Sequence, residues 1–204
     1  MSGRIGDVCV IERSVEAPSG AEGHWHASRS TIARIRSRSA PFPEAAWGQR
    51  FVAVSAMYAA DADRGAEVLA PPGALGGVDP FVDLSGRQQY VDVQRLFDAN
   101  YPEGGHYYWS SLFLDGLPDE VLVSAMRSAA ASPSPMSVVA FWQLGGAFDR
   151  ADVASGAYAH RGAAFLLGVE ANFASSDPSE RAENIAWAGG ASRTSRPTRP
   201  AGPT

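Results

Sequence analysis

Between Phe165 and Phe173 the chain alternates with the period of a strand. Phe165, Leu167, Val169, Ala171 and Phe173 fall on one side, and Gly168, Glu170 and Asn172 on the other. The first set requires a core. The second places a carboxylic acid and an amide inside an apolar strand, where a polar group costs free energy unless it is paired. Two neighbouring segments share this character. Tyr107 to Leu114 is dense in aromatic and apolar residues. Ser137 to Leu144 sets Val139, Phe141 and Gln143 on one face and Val138, Ala140 and Trp142 on the other.

An amphipathic helix is predicted between those two segments. Pro118 suits a first turn, Asp119 and Glu120 suit its positive end, and Val121, Leu122, Ala125, Met126 and Ala129 form a buried stripe. Ser132-Pro133-Ser134-Pro135 ends it. Upstream, Phe51 to Tyr58 reads as a buried strand, and residues 61–70 as a helix stopped by Pro71-Pro72. Tyr90, Val93, Phe97 and Tyr101 lie at helical spacing in Gln88 to Asn100 and are assigned to core packing. Downstream, Asp177-Pro178-Ser179-Glu180 has the form of a capped helix start. That helix takes in Ile185 and Trp187 and is expected to stop at Gly189-Gly190.

These elements predict an α+β domain, a mostly antiparallel sheet with helices covering one face, flanked by disordered tails. Residues 1–44 are expected to be poorly ordered, because HASRSTIARIRSRSAP is basic and Ser-rich with only Ile32 and Ile35 as apolar anchors. Residues 45–188 form the domain. Residues 189–204 form a disordered Arg/Pro-rich tail without a large apolar side chain. The other sheet face is left apolar and uncovered, which marks a ligand or partner surface.

Composition narrows the function classes. All 17 basic residues are arginine, and the net charge of −5 provides no general attraction to nucleic acid. No run approaches the roughly 18 apolar residues that span a bilayer. The N-terminus lacks the apolar core of a secretory signal, so a cytoplasmic location is the default expectation. The single cysteine, Cys9, makes no internal disulfide. His24 and His26 would share a face if they lay on a strand, but they lack further ligands at metal spacing, so no metal is expected. Gly73, Gly76 and Gly77 lack the Lys-Ser/Thr of a phosphate loop, and no Gly-x-Ser-x-Gly elbow supports a hydrolase triad.

Taken in order, YPEGGHYYWSSLFLDGLPDE, FWQLGGAF, YAHRGAAFLLGVEANF and NIAWA resemble the substrate domain of berberine-bridge-enzyme-like, glucooligosaccharide-oxidase-like FAD-linked oxidoreductases. The resemblance covers about Phe51 to Ala188. It implies FAD as cofactor, an alcohol or sugar hydroxyl as substrate, and hydride transfer to the flavin. It also implies that this chain is truncated at both ends relative to such enzymes. A glycine-rich flavin domain is absent, GDVCVIERS is unlike the family's cysteine loop, and the aromatic-x-Asn-Phe strand after the last helix is missing. Ser110 stands where the family usually has lysine after the tryptophan. The chain alone is therefore expected to be inactive, with a separate flavin-domain polypeptide as candidate partner. The other reading is a stand-alone interaction module that pairs its open sheet face with another polypeptide.

Within that resemblance Glu170 is the candidate catalytic base. Gln143 and Asn172 are candidate substrate-binding groups, and Tyr107 and Trp109, beside Tyr108, a candidate platform for a sugar or aromatic ring. For Asn172 a strand-end role competes. His160 and Arg161 resemble the family's pair before the last strand and are expected to fix that loop, with Asp149 or Asp152 as partners.

Overall fold

The computed structural model describes residues 7–16, 29–35, 42–58, 82–144 and 160–195, together with 64, 65, 67, 69, 80, 150–152, 154 and 156–158. The helix expected over 61–70 falls largely outside the described residues, as does Asp149.

Among the described residues, eight strands form one antiparallel sheet: β1 (Asp7–Glu16), β2 (Arg29–Arg34), β3 (Arg50–Tyr58), β4 (Val82–Asp83), β5 (Gly86–Gln89), β6 (His106–Leu114), β7 (Val138–Gln143) and β8 (Phe165–Phe173). Their order is β4-β1-β3-β2-β7-β8-β6, with β5 also paired to β1. Between or after these strands lie the single-turn helix α1 (Tyr90–Val93) and the longer helices α2 (Asp119–Ala130) and α3 (Pro178–Thr194).

The two longer helices lie on one face. Val121 and Ala125 of α2 and Ala188 and Ala191 of α3 are buried with Val139 and Phe141 of β7, and with Leu167, Val169, Ala171 and Phe173 of β8. Ile32, Val52 and Val54 extend this core across β2 and β3. The alternation in β8 thus places the expected residues beneath the helices. Glu170 and Asn172 face the other way. At the start of α3 the Asp177 carboxylate accepts from the backbone N–H of Ser179 and of Glu180, satisfying donors that the first turn leaves without helical partners.

Three elements depart from the sequence reading. The segment expected to be poorly ordered supplies β1 and β2. β2 pairs on one edge with β3 and on the other with β7, so its backbone is bonded on both sides. Ile32 and Ile35, the two anchors, are buried. A strand held mainly by its backbone needs little alternation in its side chains, which is why a basic, Ser-rich run can occupy the middle of a sheet.

Second, α3 continues through Gly189-Gly190 to Thr194, so the tail expected from residue 189 begins later. Its lack of bulk is the reason. Ala191 and Ser192 press against the layer below, with Ser192 Oγ 2.8 Å from Ser110 Oγ and Ser195 Oγ 3.2 Å from Ser124 Oγ. Third, the stripe from Tyr90 to Tyr101 is not one helix. It divides into α1, a turn and the 3-10 segment Asp98–Asn100, with none of its residues fully buried.

Candidate functional site

The uncovered face is built where β6 meets β8. Their register sets Tyr107 opposite Asn172 and Trp109 opposite Glu170, so these four residues share one face. Glu170 is 2% exposed and Asn172 1%, whereas the Trp109 ring, at 56%, stands largely in solvent. Both polar groups thus lie at the floor of an aromatic surface.

Each polar group on that floor is held. Trp109 Nε1 donates to Asn172 Oδ1 at 2.9 Å. Asn172 Nδ2 donates to the Met136 carbonyl, its N–H to Ser137 Oγ, and its own carbonyl accepts from Ser134 Oγ at 2.6 Å. Asn172 therefore joins β8 to the Ser-Pro turn ahead of β7 and fixes the indole of Trp109. That is a positioning role, close to the strand-end alternative.

Glu170 Oε2 accepts a hydrogen bond from the Tyr101 hydroxyl at 2.5 Å. Tyr101 precedes the turn Pro102–Gly105, in which Gly104 takes a left-handed φ of 82° that favours glycine. This turn folds the Tyr101 ring back over β6, where it meets the Trp109 ring edge-on at 5.5 Å and the Tyr107 ring at 5.9 Å. The Tyr107 hydroxyl donates to the Pro102 carbonyl, closing the turn from below. A Cβ on Gly105 would collide with the Tyr107 ring, so the missing side chain there is required by the packing. Tyr101, Tyr107 and Trp109 together line an open depression of about 410 Å³.

The structure does not bring Gln143 to this place. Gln143 pairs with Phe165 at the far end of β8, and Phe165 lies on the helix-side face. Tyr108 also points to the helix side, opposite Ala171, although it remains exposed at the sheet edge. Tyr101 is the residue that sequence reasoning missed. The available signal was an aromatic residue placed directly before a Pro-x-Gly-Gly turn that feeds an aromatic strand.

At the other end of the same face Trp142 lies over Gly168, and His160 stacks on Phe113 with centroids 4.0 Å apart. The Arg161 guanidinium sits 6.0 Å from the Tyr158 ring. His160 and Arg161 thus anchor the loop before β8 by ring contacts, while Asp152 accepts from the Ala154 N–H. Among the described residues, no group of three or more His, Cys, Asp or Glu side chains is arranged to hold a metal ion, and no helix is long and apolar enough to cross a membrane.

An antiparallel sheet with helices on one face is, in fold, similar to one part of the berberine-bridge-enzyme-like FAD oxidoreductases. Berberine bridge enzyme-like protein 28 of Arabidopsis thaliana superposes with a TM-score of 0.68 at 10% identity, over 92% of this chain and 42% of that one. GilR, an oxidoreductase that catalyses the terminal step of gilvocarcin biosynthesis, superposes with 0.64 at 18% identity, over 92% and 42%. Berberine bridge enzyme from Eschscholzia californica gives 0.63 at 9% identity, over 92% and 40%. The chain therefore spans about two-fifths of each solved structure, and at these identities the likeness concerns the fold. Neither a family model nor a curated protein matches the sequence.

The described residues do not fit a whole FAD. A dinucleotide needs backbone amides or cationic groups about its pyrophosphate. The depression offers three aromatic rings and no cationic side chain among its described lining residues. It can meet one planar ring, and it does not hold the rest of such a cofactor.

Proposed function

We propose that this chain is the substrate-side portion of a flavin-linked oxidoreductase that acts on an alcohol or sugar hydroxyl, and that it does not turn over alone. The observation that carries the reading is Glu170: a carboxylate nearly excluded from water, on the open rather than the helix-covered face, reached from the depression by way of Tyr101. In this arrangement a substrate hydroxyl gives its proton to Tyr101 Oη while the Tyr101 proton passes to Glu170 Oε2. The carboxylate becomes a carboxylic acid and the phenol remains neutral. Trp109, fixed by Asn172, supplies the surface against which a substrate ring lies. Flavin, when bound to a complete enzyme, supplies the two-electron acceptor.

Expression of the chain with and without added FAD, followed by desalting and visible absorbance, tests this. The expected result is a colourless protein that retains no flavin. Tight, stoichiometric flavin in the isolated chain would refute the half-site reading. The second reading, an interaction module, is favoured by the exposure of Tyr107 and Trp109 on one face. Co-expression with a flavin-domain polypeptide separates the two. Substrate-dependent bleaching that disappears in Glu170→Gln supports the enzyme, and a stable complex without bleaching supports the module.

A further inference from the structure

We propose that the outer edge of β6 pairs with β6 of a second copy of this chain, joining two sheets across a two-fold axis. This edge is distinct from the aromatic face, and its pairing does not depend on the half-site reading.

β6 ends the strand order, and among the described residues no strand lies on its other side. The direction of its backbone groups follows from Asn172. The Asn172 N–H donates to Ser137 Oγ and its carbonyl accepts from Ser134 Oγ, both in the turn ahead of β7. In an antiparallel strand the N–H and C=O of one residue point to the same side, and the side alternates along the chain. Ala171 and Phe173 therefore bond toward β6, where they meet Tyr108 and His106. The intervening residues of β6, Tyr107, Trp109, Ser111 and Phe113, turn their N–H and C=O groups outward.

Long sheet edges are normally guarded by charge, proline or a bulge. The nine residues of β6, HYYWSSLFL, include no Asp, Glu, Arg or Pro, and they match β8 residue for residue from His106 to Leu114. At the other end of the strand order, β4 has only two residues.

The strip is complementary to itself. A two-fold axis at Ser110 sets Tyr107 against the partner's Phe113 and Trp109 against the partner's Ser111, pairs that exchange both backbone hydrogen bonds. Tyr108 meets the partner's Leu112, and His106 the partner's Leu114. No like charges are opposed, which matters for self-association of a chain with a net charge of −5. The contact is about 30 Å long and, with side chains above and below the sheet, about 15 Å deep, so each copy covers about 450 Å². A total of about 900 Å² lies at the low end of specific interfaces, which sets the expectation of a reversible, micromolar dimer.

Sedimentation velocity of the full chain from about 1 to about 100 μM tests this. The weight-average mass should rise from one chain to two and stop there, because pairing uses up the edge. Ser111 is exposed and lies diagonally across the axis from the partner's Ser111, at about 7–8 Å. Ser111→Lys and Ser111→Glu should each weaken dimerisation about threefold to tenfold by like-charge repulsion. An equimolar mixture of the two variants should restore it. Ser111→Pro removes an outward N–H and none that bonds β8, so it should weaken the dimer while far-UV circular dichroism stays unchanged. If that variant fails to fold, the charge variants still decide. A wild-type chain that stays single at every concentration, even if it takes a strand from another polypeptide, overturns the proposal. Growth beyond two chains, or a dimer as strong in Ser111→Lys as in the wild type, does so equally.

Discussion

Gly168 lies on the open face in the middle of β8, opposite Ser111 and Ala140, and a Cβ placed there would stand 2.4 Å from Cζ3 and 2.9 Å from Cη2 of Trp142. The shorter distance is about 1 Å inside ordinary van der Waals contact. An indole cannot yield as the end of a flexible chain would; either its χ angles or the β7–β8 spacing must change. Overpacking of this kind costs about 1–3 kcal/mol, against a gain of about 0.5–1 kcal/mol from the lower unfolded-state entropy of alanine. Gly168→Ala should therefore destabilise the chain by about 0.5–2 kcal/mol. In a Trp142→Val background the obstructing ring is gone, and the same step should be neutral or stabilising by about 0.5 kcal/mol. The coupling between the two sites, about 0.5–2.5 kcal/mol, is the quantity to measure. Urea unfolding followed by far-UV circular dichroism reads it without relying on a tryptophan signal. An equal cost for Gly168→Ala in both backgrounds would refute the argument that the indole occupies the glycine's space.

The remaining predictions concern α3. Nothing lies within 4 Å of a Cβ on Gly190, so Gly190→Ala should stabilise the helix by about 1 kcal/mol and raise the unfolding midpoint. Donation from the Ser179 side chain, then from the backbone of Glu180 and Ser179, holds the Asp177 carboxyl below its usual 3.8. Because the folded value is depressed, the unfolded state binds more protons, and the stabilisation is complete above 3.8 and lost as pH falls through the folded value. Asp177→Ala should accordingly lower the melting temperature at neutral pH, and the gap from the wild type should close well below pH 3.8. A gap of constant size would exclude the cap as its origin.

The parts of this fold that were legible in the sequence are those in which side chains set the structure. β8 shows its two faces because one is packed on helices and the other carries Glu170 and Asn172. α2 and α3 show their starts because Pro118 brings no amide that would need a helical partner and the Asp177 carboxylate accepts from the exposed ones. β1 and β2 were not legible, since pairing on both edges leaves little mark on residue type. The last turn of α3 was hidden for a related reason, its contacts being made by Ala191, Ser192 and Ser195 rather than by large apolar groups. Within the site, Glu170, Asn172, Tyr107 and Trp109 converge because they follow from alternation in two strands that pair directly. Gln143 does not join them. Alternation gives its face within β7, but only the register with Phe165 reveals that this face is the helix side. Tyr101 depended on the path of a turn, which spacing alone does not encode.

The order of strands in the sheet differs from their order along the chain, and this shapes how the protein can be made. β6 takes β8 as its partner and not β7, although β7 is synthesised first. During translation β6 therefore emerges without its strand partner until residues 165–173 leave the ribosome. Only then can β8 insert between β7 and β6 and let α3 close over them. The earlier strands β1, β3 and β2 can pair among themselves, and among the described residues they join the later strands where Arg29–Ala33 meets Val138–Trp142. Such distant pairings are slow to form and leave sticky intermediates. A nascent chain stalled before Phe165 is thus the species most in need of a chaperone.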